Sequence, residues 1–394
     1  MLQERGKQSR YSCLAICGLF LTVIACKPDS SSFSEEKAAY LADYEKPAYQ
    51  WGYINTSGQI VIPADYDDVR QFSENKAAIN KAGLWGYIES SGKMIIKPQF
   101  RSAYNFHENR ARIKPFNQPE YYITPDGKII SSTAWIASDD FSDGRAKVKV
   151  GSLYGFIDTS GTLIIRAAFS RAWNFRDGMA VVEFKGQQGV MDRNGKFLIQ
   201  PEYDHLTIDA TSKLILTIKE NNSFLLDLNG NEIVQMKGAL LKETDGHLVS
   251  FQKDDKMFLY SIHEKKNVPG TGYDQLIYPG DQRWSAKYDG VYHLLDDEGK
   301  VMNDSIYSQI NKFVNGVAVY HHDKFWGYLD STGKELTKPI FGLAWDYADG
   351  FARAAFKDGL TFINKNQEIA FYPPEGTVDM RDFNEGFAPV QMIR

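Results

Sequence analysis

The chain has 394 residues, with 45 Lys and Arg against 50 Asp and Glu and a net charge of −5. No basic cluster interleaved with aromatics occurs, so no nucleic-acid partner is expected, since binding a phosphate backbone takes a basic footprint. The 22 Tyr and 24 Phe, with Gly at regular turn spacing, indicate a folded, β-rich body.

Arg5, Lys7 and Arg10 precede an apolar run from about Cys13 to Ala25, the layout of a secretory signal peptide over residues 1–25. The run is shorter than the roughly 20 residues a membrane-spanning helix takes. It ends at Val23-Ile24-Ala25-Cys26, which resembles the lipobox of bacterial lipoproteins. That resemblance implies that Cys26 carries the lipid, a palmitate-bearing group, and becomes the new N-terminus. Cys13, Cys17 and Cys26 are the three cysteines, so after cleavage no intrachain disulfide can form. Cleavage also removes three basic groups and one acidic group, leaving a mature charge of −7. The same resemblance implies, from Lys27 rather than an aspartate after the cysteine, an outer-membrane location, at its periplasmic face or at the cell surface. Residues 26–49, with Ser30-Ser31-Ser32 and scattered Pro and Asp, read as a flexible tether in which 35–44 could form a short helix.

A repeat occupies residues 50–394. Trp51-Gly52-Tyr53-Ile54 returns as Trp85-Gly86-Tyr87-Ile88, Tyr154-Gly155-Phe156-Ile157 and Trp326-Gly327-Tyr328-Leu329. Weaker copies put the same apolar position at Tyr122, Val190, Leu225, Leu259, Leu294 and Phe362, with successive steps of 34 or 35 residues. Such regularity marks about ten structural units. Each unit passes from the Trp-Gly strand to a turn ending in glycine, such as Thr56-Ser57-Gly58 or Arg193-Asn194-Gly195, where a residue at positive φ is wanted. An alternating strand follows, then Pro and an aromatic (Pro98 and Phe100, Pro201 and Tyr203), the proline being expected to end the ladder. An aromatic-x-x-Gly/Asn-x-Ala step, as in Phe72/Asn75/Ala77 and Phe175/Gly178/Ala180, opens a third strand. With indoles sealed between units, Trp85→Ala is expected to cost about 3–5 kcal/mol.

These motifs resemble the WG repeat of bacterial proteins, and the resemblance covers about residues 50–394, with degenerate copies between about 205 and 310. It implies an all-β tandem array of about ten three-stranded β-meanders of roughly 34 residues, without fixing an activity. The last strand, Phe387 to Ile393, lacks a following Trp-Gly strand, and the strand of Trp51 lacks its usual predecessor. Pairing the two would close a propeller-like ring. An open curved array is favoured, because propellers typically have four to eight blades.

Ligand-like groups are few. His321-His322-Asp323 sits where other units have a tight turn. Asp227-Leu228-Asn229-Gly230-Asn231 mimics a calcium loop, but its glycine is misplaced and Gly238 falls where the bidentate Glu belongs. Asp67-Asp68, Asp139-Asp140 and Asp254-Asp255 read as solvated loop charges, and no serine lies in a nucleophile elbow. Trp135, Trp173, Trp284 and Trp345 are the better ligand candidates, because the period does not explain them all. The expectation is a membrane-tethered scaffold of the cell envelope, without cofactor or metal and not an enzyme. It would present its repetitive surface to a protein or glycan. The alternative is an enzyme or carbohydrate-binding protein on a closed ring.

Overall fold

The computed structural model describes residues 30–393 apart from 132, 134, 210, 271 and 358, with side chains from 35 onward. The signal segment and Cys26 lie outside the described residues. From 49 on, the chain forms ten antiparallel sheets, six of four strands and four of three among the described residues. Blade 1 is typical: Asp68–Val69, Lys76–Lys81, Leu84–Glu89 and Met94–Phe100 follow one another as a meander from the ring's centre outward. The fourth strand is the short inner one, Asp68–Val69 here, which the three-strand reading of the repeat missed.

The favoured open array is wrong; the ring is closed. Blade 10 is built from both ends of the chain, with sheet order Ile60–Tyr66, Tyr49–Asn55, Phe387–Ile393, Thr377–Met380. The middle pair runs in unbroken register from Tyr49↔Ile393 to Asn55↔Phe387. The two strands left without partners by the repeat pattern are therefore each other's partners, and joining them removes both edges.

The Trp-Gly glycine has a steric cause. A Cβ on Gly86 would lie 2.5 Å from the carbonyl oxygen of Ile96 and 2.7 Å from the nitrogen of Pro98. The outer strand bulges over that bare glycine: Trp85 pairs with Phe100, but Tyr87 pairs with Ile96. Pro98 sits in the bulge, and the strand then re-pairs, so the proline does not end the ladder.

The core lies between blades. Tyr53 of blade 10 meets Phe72 of blade 1 with ring centroids 4.8 Å apart, and Tyr87 meets Phe106 of blade 2 at 4.9 Å. All four rings are fully buried. Each tyrosine also donates its hydroxyl across the boundary, Tyr53 to Arg70 O and Tyr87 to Tyr104 O, both at 2.7 Å. Among the repeat indoles, Trp51 is buried, whereas Trp85 and Trp326 are half-buried.

Where a solvated spacer was expected, a helix, Ser30–Ala42, docks on the face formed by the second-to-third-strand turns. Glu36 pairs with Arg101 at 2.7 Å, and Tyr40 packs on the buried ring of Phe116 at 5.4 Å. Just beyond the helix, the Tyr44 hydroxyl donates to Asp67 at 2.8 Å. Among the described residues no helix is long and apolar enough to cross a membrane.

Candidate functional site

The inner strands bring one short segment of every blade to the rim of the central channel. Here the rim is half-occupied by cations that clamp neighbouring blades. Arg353 of blade 9 lies over Trp345 at 4.5 Å, pairs with Asp382 of blade 10 at 2.6 Å and donates to Met380 O at 2.8 Å. Arg112 of blade 2 lies over Tyr104 at 4.1 Å, pairs with Asp140 and donates to Ser138 O of blade 3. Lys147 of blade 3 occupies the same strand position and reaches Asp139 and, across the boundary, Ala172 O of blade 4.

Blades 10 and 1 have Pro389 and Ala78 at that position, and there the inner strand supplies the cation instead. Arg381 covers Trp51 at 4.0 Å, pairs with Asp68 and donates to Val69 O. Arg70 sits between Trp85 and Tyr104 and donates to Ala103 O at 2.8 Å. Five consecutive boundaries, from blade 9 round to blade 4, thus carry one cation each, aimed at the equivalent carbonyl of the next blade.

A second circuit runs along the loops between the inner and second strands. The acidic residue before the Gly or Asn of that step has positive φ and accepts the backbone amides of the next loop. Glu385 takes Glu74 N and Asn75 N, Glu74 takes Asn109 N, Glu108 takes Gly144 N, and Asp143 takes Gly178 N. Asp177 binds Lys213 at 2.7 Å instead, and that bond holds its carboxyl below the usual range. The signal was present in the sequence as acidic residues 34 to 36 positions apart, from Glu74 to Asp177 and from Asp349 to Glu385, hidden beside the more visible glycine or asparagine.

The four non-repeating tryptophans have different fates. Trp135 is packed with Tyr122 and Phe141, and Trp284 is fully buried, its Nε1 donating to the buried Asp245 at 2.7 Å. Trp345 is covered by Arg353. Trp173 alone of the four stays open, at 41% exposure. Asp67-Asp68 and Asp139-Asp140 are held in specific bonds rather than merely solvated: Asp67 accepts from Tyr44 and Gly83, and the other three pair with the clamp cations. Asp254-Asp255 occupy a hairpin turn. His321 packs against Trp326 with the rings tilted, and His322 contacts Ile306 O at 3.0 Å. Asp227 caps its own hairpin by accepting Asn229 N and Asn231 N. Among the described residues no group of His, Cys, Asp and Glu could hold a metal ion.

No curated protein sequence matches the chain. Among solved structures, a protein titled eukaryotic initiation factor superposes with a TM-score of 0.42 at 10% identity, covering 82% of this chain and 95% of that one. BamB from Moraxella catarrhalis gives 0.35 at 10% identity, with 74% and 96% covered. The computationally designed Ika8 protein gives 0.36 at 14% identity, with 68% and 96% covered. The family profile described as "WG containing repeat" matches residues 51–85, 85–114, 154–187, 189–207 and 326–360, the segments that fold as blades 10, 1, 2, 3, 4, 5, 8 and 9 in whole or part. By these repeats, whose glycine admits the bulge and whose aromatics seal one blade to the next, the matched segments of the chain are similar to the WG-repeat family.

Proposed function

We propose that this is a lipid-anchored propeller of the cell envelope that docks a partner protein at its central channel. The observation that carries the reading is what the inner strands leave uncovered. Trp173, Leu240, Ile277 and Leu343 expose 41, 38, 37 and 52% of their surface along the rim. Apolar side chains gathered on one surface from four blades mark an interaction site rather than scattered exposure.

The lipobox-like segment supports the anchor. Cys26 is four residues before the helix that opens the described structure, and four residues of chain reach at most about 14 Å. An anchor there would hold the helix-bearing face toward the membrane and turn the face with the acidic loop circuit away from it. A catalytic ring would need ionisable groups from several blades to meet at one point. From blade 9 round to blade 4 they are instead consumed pairwise, one boundary at a time, in the clamps, which favours binding over chemistry on that half of the ring.

Two experiments test this. Palmitate labelling and detergent partition of the full chain should place it in the detergent phase, and Cys26→Ser should release it to the aqueous phase; membrane association unchanged by C26S would overturn the anchor. A photo-crosslinker placed at Leu240 or Leu343 in cells should trap a protein adduct that the same group at Val61, on the outer strand, does not. Equal trapping at both places would remove the channel as the docking surface.

A further inference from the structure

One blade boundary breaks the clamp series in a way that leaves a cavity. Between blades 4 and 5, Val181 stands at the second-strand position of Arg112, Lys147 and Arg353, and Gln188 stands where other third strands carry the repeat tryptophan. Trp173 has the inner-strand position of Trp345, but nothing corresponding to Arg353 covers it. The missing groups leave a cleft of about 480 Å³ lined by Trp173, Asn174, Val181, His205, Leu206 and Thr207.

We propose that this cleft takes an arginine side chain of a partner protein, the guanidinium occupying the place that five other boundaries fill from within. The proposal rests on the scaffold reading above and names the chemistry of its contact. The molecule supplies its own template: at the equivalent point of blade 9 a guanidinium lies 4.5 Å from the Trp345 ring centre and donates to the carbonyl of Met380. Leu206 is the counterpart of Met380. Its N–H donates to Gln188 Oε1 of blade 4 at 2.7 Å. In an antiparallel strand the N–H and C=O of one residue project to the same side, so the Leu206 carbonyl also faces the cleft.

A carboxylate is not required, because Arg70 is held by two aromatic rings and the Ala103 carbonyl. Two cations also line the cleft: Lys213 is bonded to Asp177, and Arg176 lies in the field of the same carboxylate, so the three groups together add one positive charge rather than two. The net charge of −5 favours a basic partner over an acidic one.

The test uses the full chain labelled with 5-fluorotryptophan, with the Trp173 fluorine signal assigned by its loss in Trp173→Phe. A four-arginine peptide should move that signal with a dissociation constant at least about tenfold lower than the same peptide carrying citrulline, which keeps the shape and loses the charge. Val181→Arg, which restores an internal cation, should abolish the response, with Val181→Lys as the second variant should the first fail to fold. The proposal is overturned if citrulline and arginine peptides act alike, if a neutral disaccharide such as cellobiose moves the signal in their place, if the response survives in the folded Val181 variant, or if there is no response. Any of these leaves the channel reading standing, because crosslinking at Leu240 and Leu343 tests it separately.

Discussion

Single positions in this protein are interpretable only against their counterparts one repeat away. Gly86 is required because the outer strand folds over it, so Gly86→Ala should cost about 1–3 kcal/mol by overpacking, read as a lower denaturant midpoint with an unchanged slope. Trp85 is half-buried beneath Arg70 rather than sealed, so the figure expected from sequence is too large. Trp85→Ala should cost about 1.5–2.5 kcal/mol, half that of a fully enclosed indole. Trp284 is the enclosed one. It stands at the small Ala position of the closing step because Pro279 and Thr244 stand where blades 7 and 6 would carry Phe, and its indole fills the space both leave. Trp284→Ala should cost about 3–5 kcal/mol and strip Asp245 Oδ2 of its indole donor while Oδ1 keeps the amides of His247 and Leu248, the larger loss despite falling outside the repeat pattern. That trade explains why the sequence made Trp284 look like a ligand contact: a compensating pair split between two positions has no period of its own. Glu243 carries a pH signature. Burial raises its carboxyl above the usual range, against the partial relief of the Tyr278 amide and Lys312. The folded state therefore holds that proton more tightly than the unfolded chain, and stability falls as pH rises above the ordinary Glu value. Glu243→Gln should raise the melting temperature at pH 7, and the gain should vanish near pH 4.

At the scale of strands and helices, the Trp-Gly strand and its two neighbours were legible in the clear copies of the repeat, and the inner strand was not. The Trp-Gly, Ile-Ile and Ala strands are long enough for alternation to show, whereas inner strands such as Asp68–Val69 and Arg171–Ala172 have two residues each and no measurable period. Their neighbours nevertheless carry the rim chemistry, which is why the candidate site was visible only as four stray tryptophans. The clamp was hidden for a related reason: its cation moves between second and inner strands, from Arg112 to Arg70 and from Arg353 to Arg381, so no column of the repeat is uniformly basic. Its worth can be measured at Arg353, a mostly buried guanidinium with a carboxylate and a carbonyl partner. Arg353→Met should cost about 1.5–3 kcal/mol, and the double variant with Asp382→Asn should cost less than the sum of the two single ones. The helix Ser30–Ala42 was read as solvated because its sequence has no apolar stripe. It docks instead through individual contacts, Glu36 to Arg101 and Tyr40 to Phe116. Arg101→Ala with Tyr40→Ala should speed amide exchange in the helix and leave the ring's melting unchanged.

For the molecule as a whole, the repeat specified ten like units but not whether the last meets the first. Closure depends on a small rotation per blade that accumulates round the array, and no residue in any one unit encodes it. What the sequence did contain was the complementary lack at its two ends, which blade 10 satisfies by pairing Tyr49–Asn55 with Phe387–Ile393. A ring closed this way has no privileged beginning, whereas an open array has two distinct caps, and the two arrangements respond oppositely to being recut. Because Tyr49 and Ile393 are directly opposed partners, a two-residue Asn-Gly turn can join them. A permutant so joined, with new ends opened between His263 and Glu264 in an exposed blade 6 turn, keeps all ten blade boundaries and should melt within a few degrees of the parent. Deleting 387–393 should do the reverse. It strips the partner from the Tyr49–Asn55 strand and removes the Ala388 and Val390 side chains that pack with Phe362 and Phe383. The tyrosine-to-phenylalanine contacts would then lack one closing boundary. Scattering should report a larger radius of gyration for the deletion and an unchanged one for the permutant; a deletion as compact and as stable as the parent would mean that the two ends of the chain do not hold the ring shut.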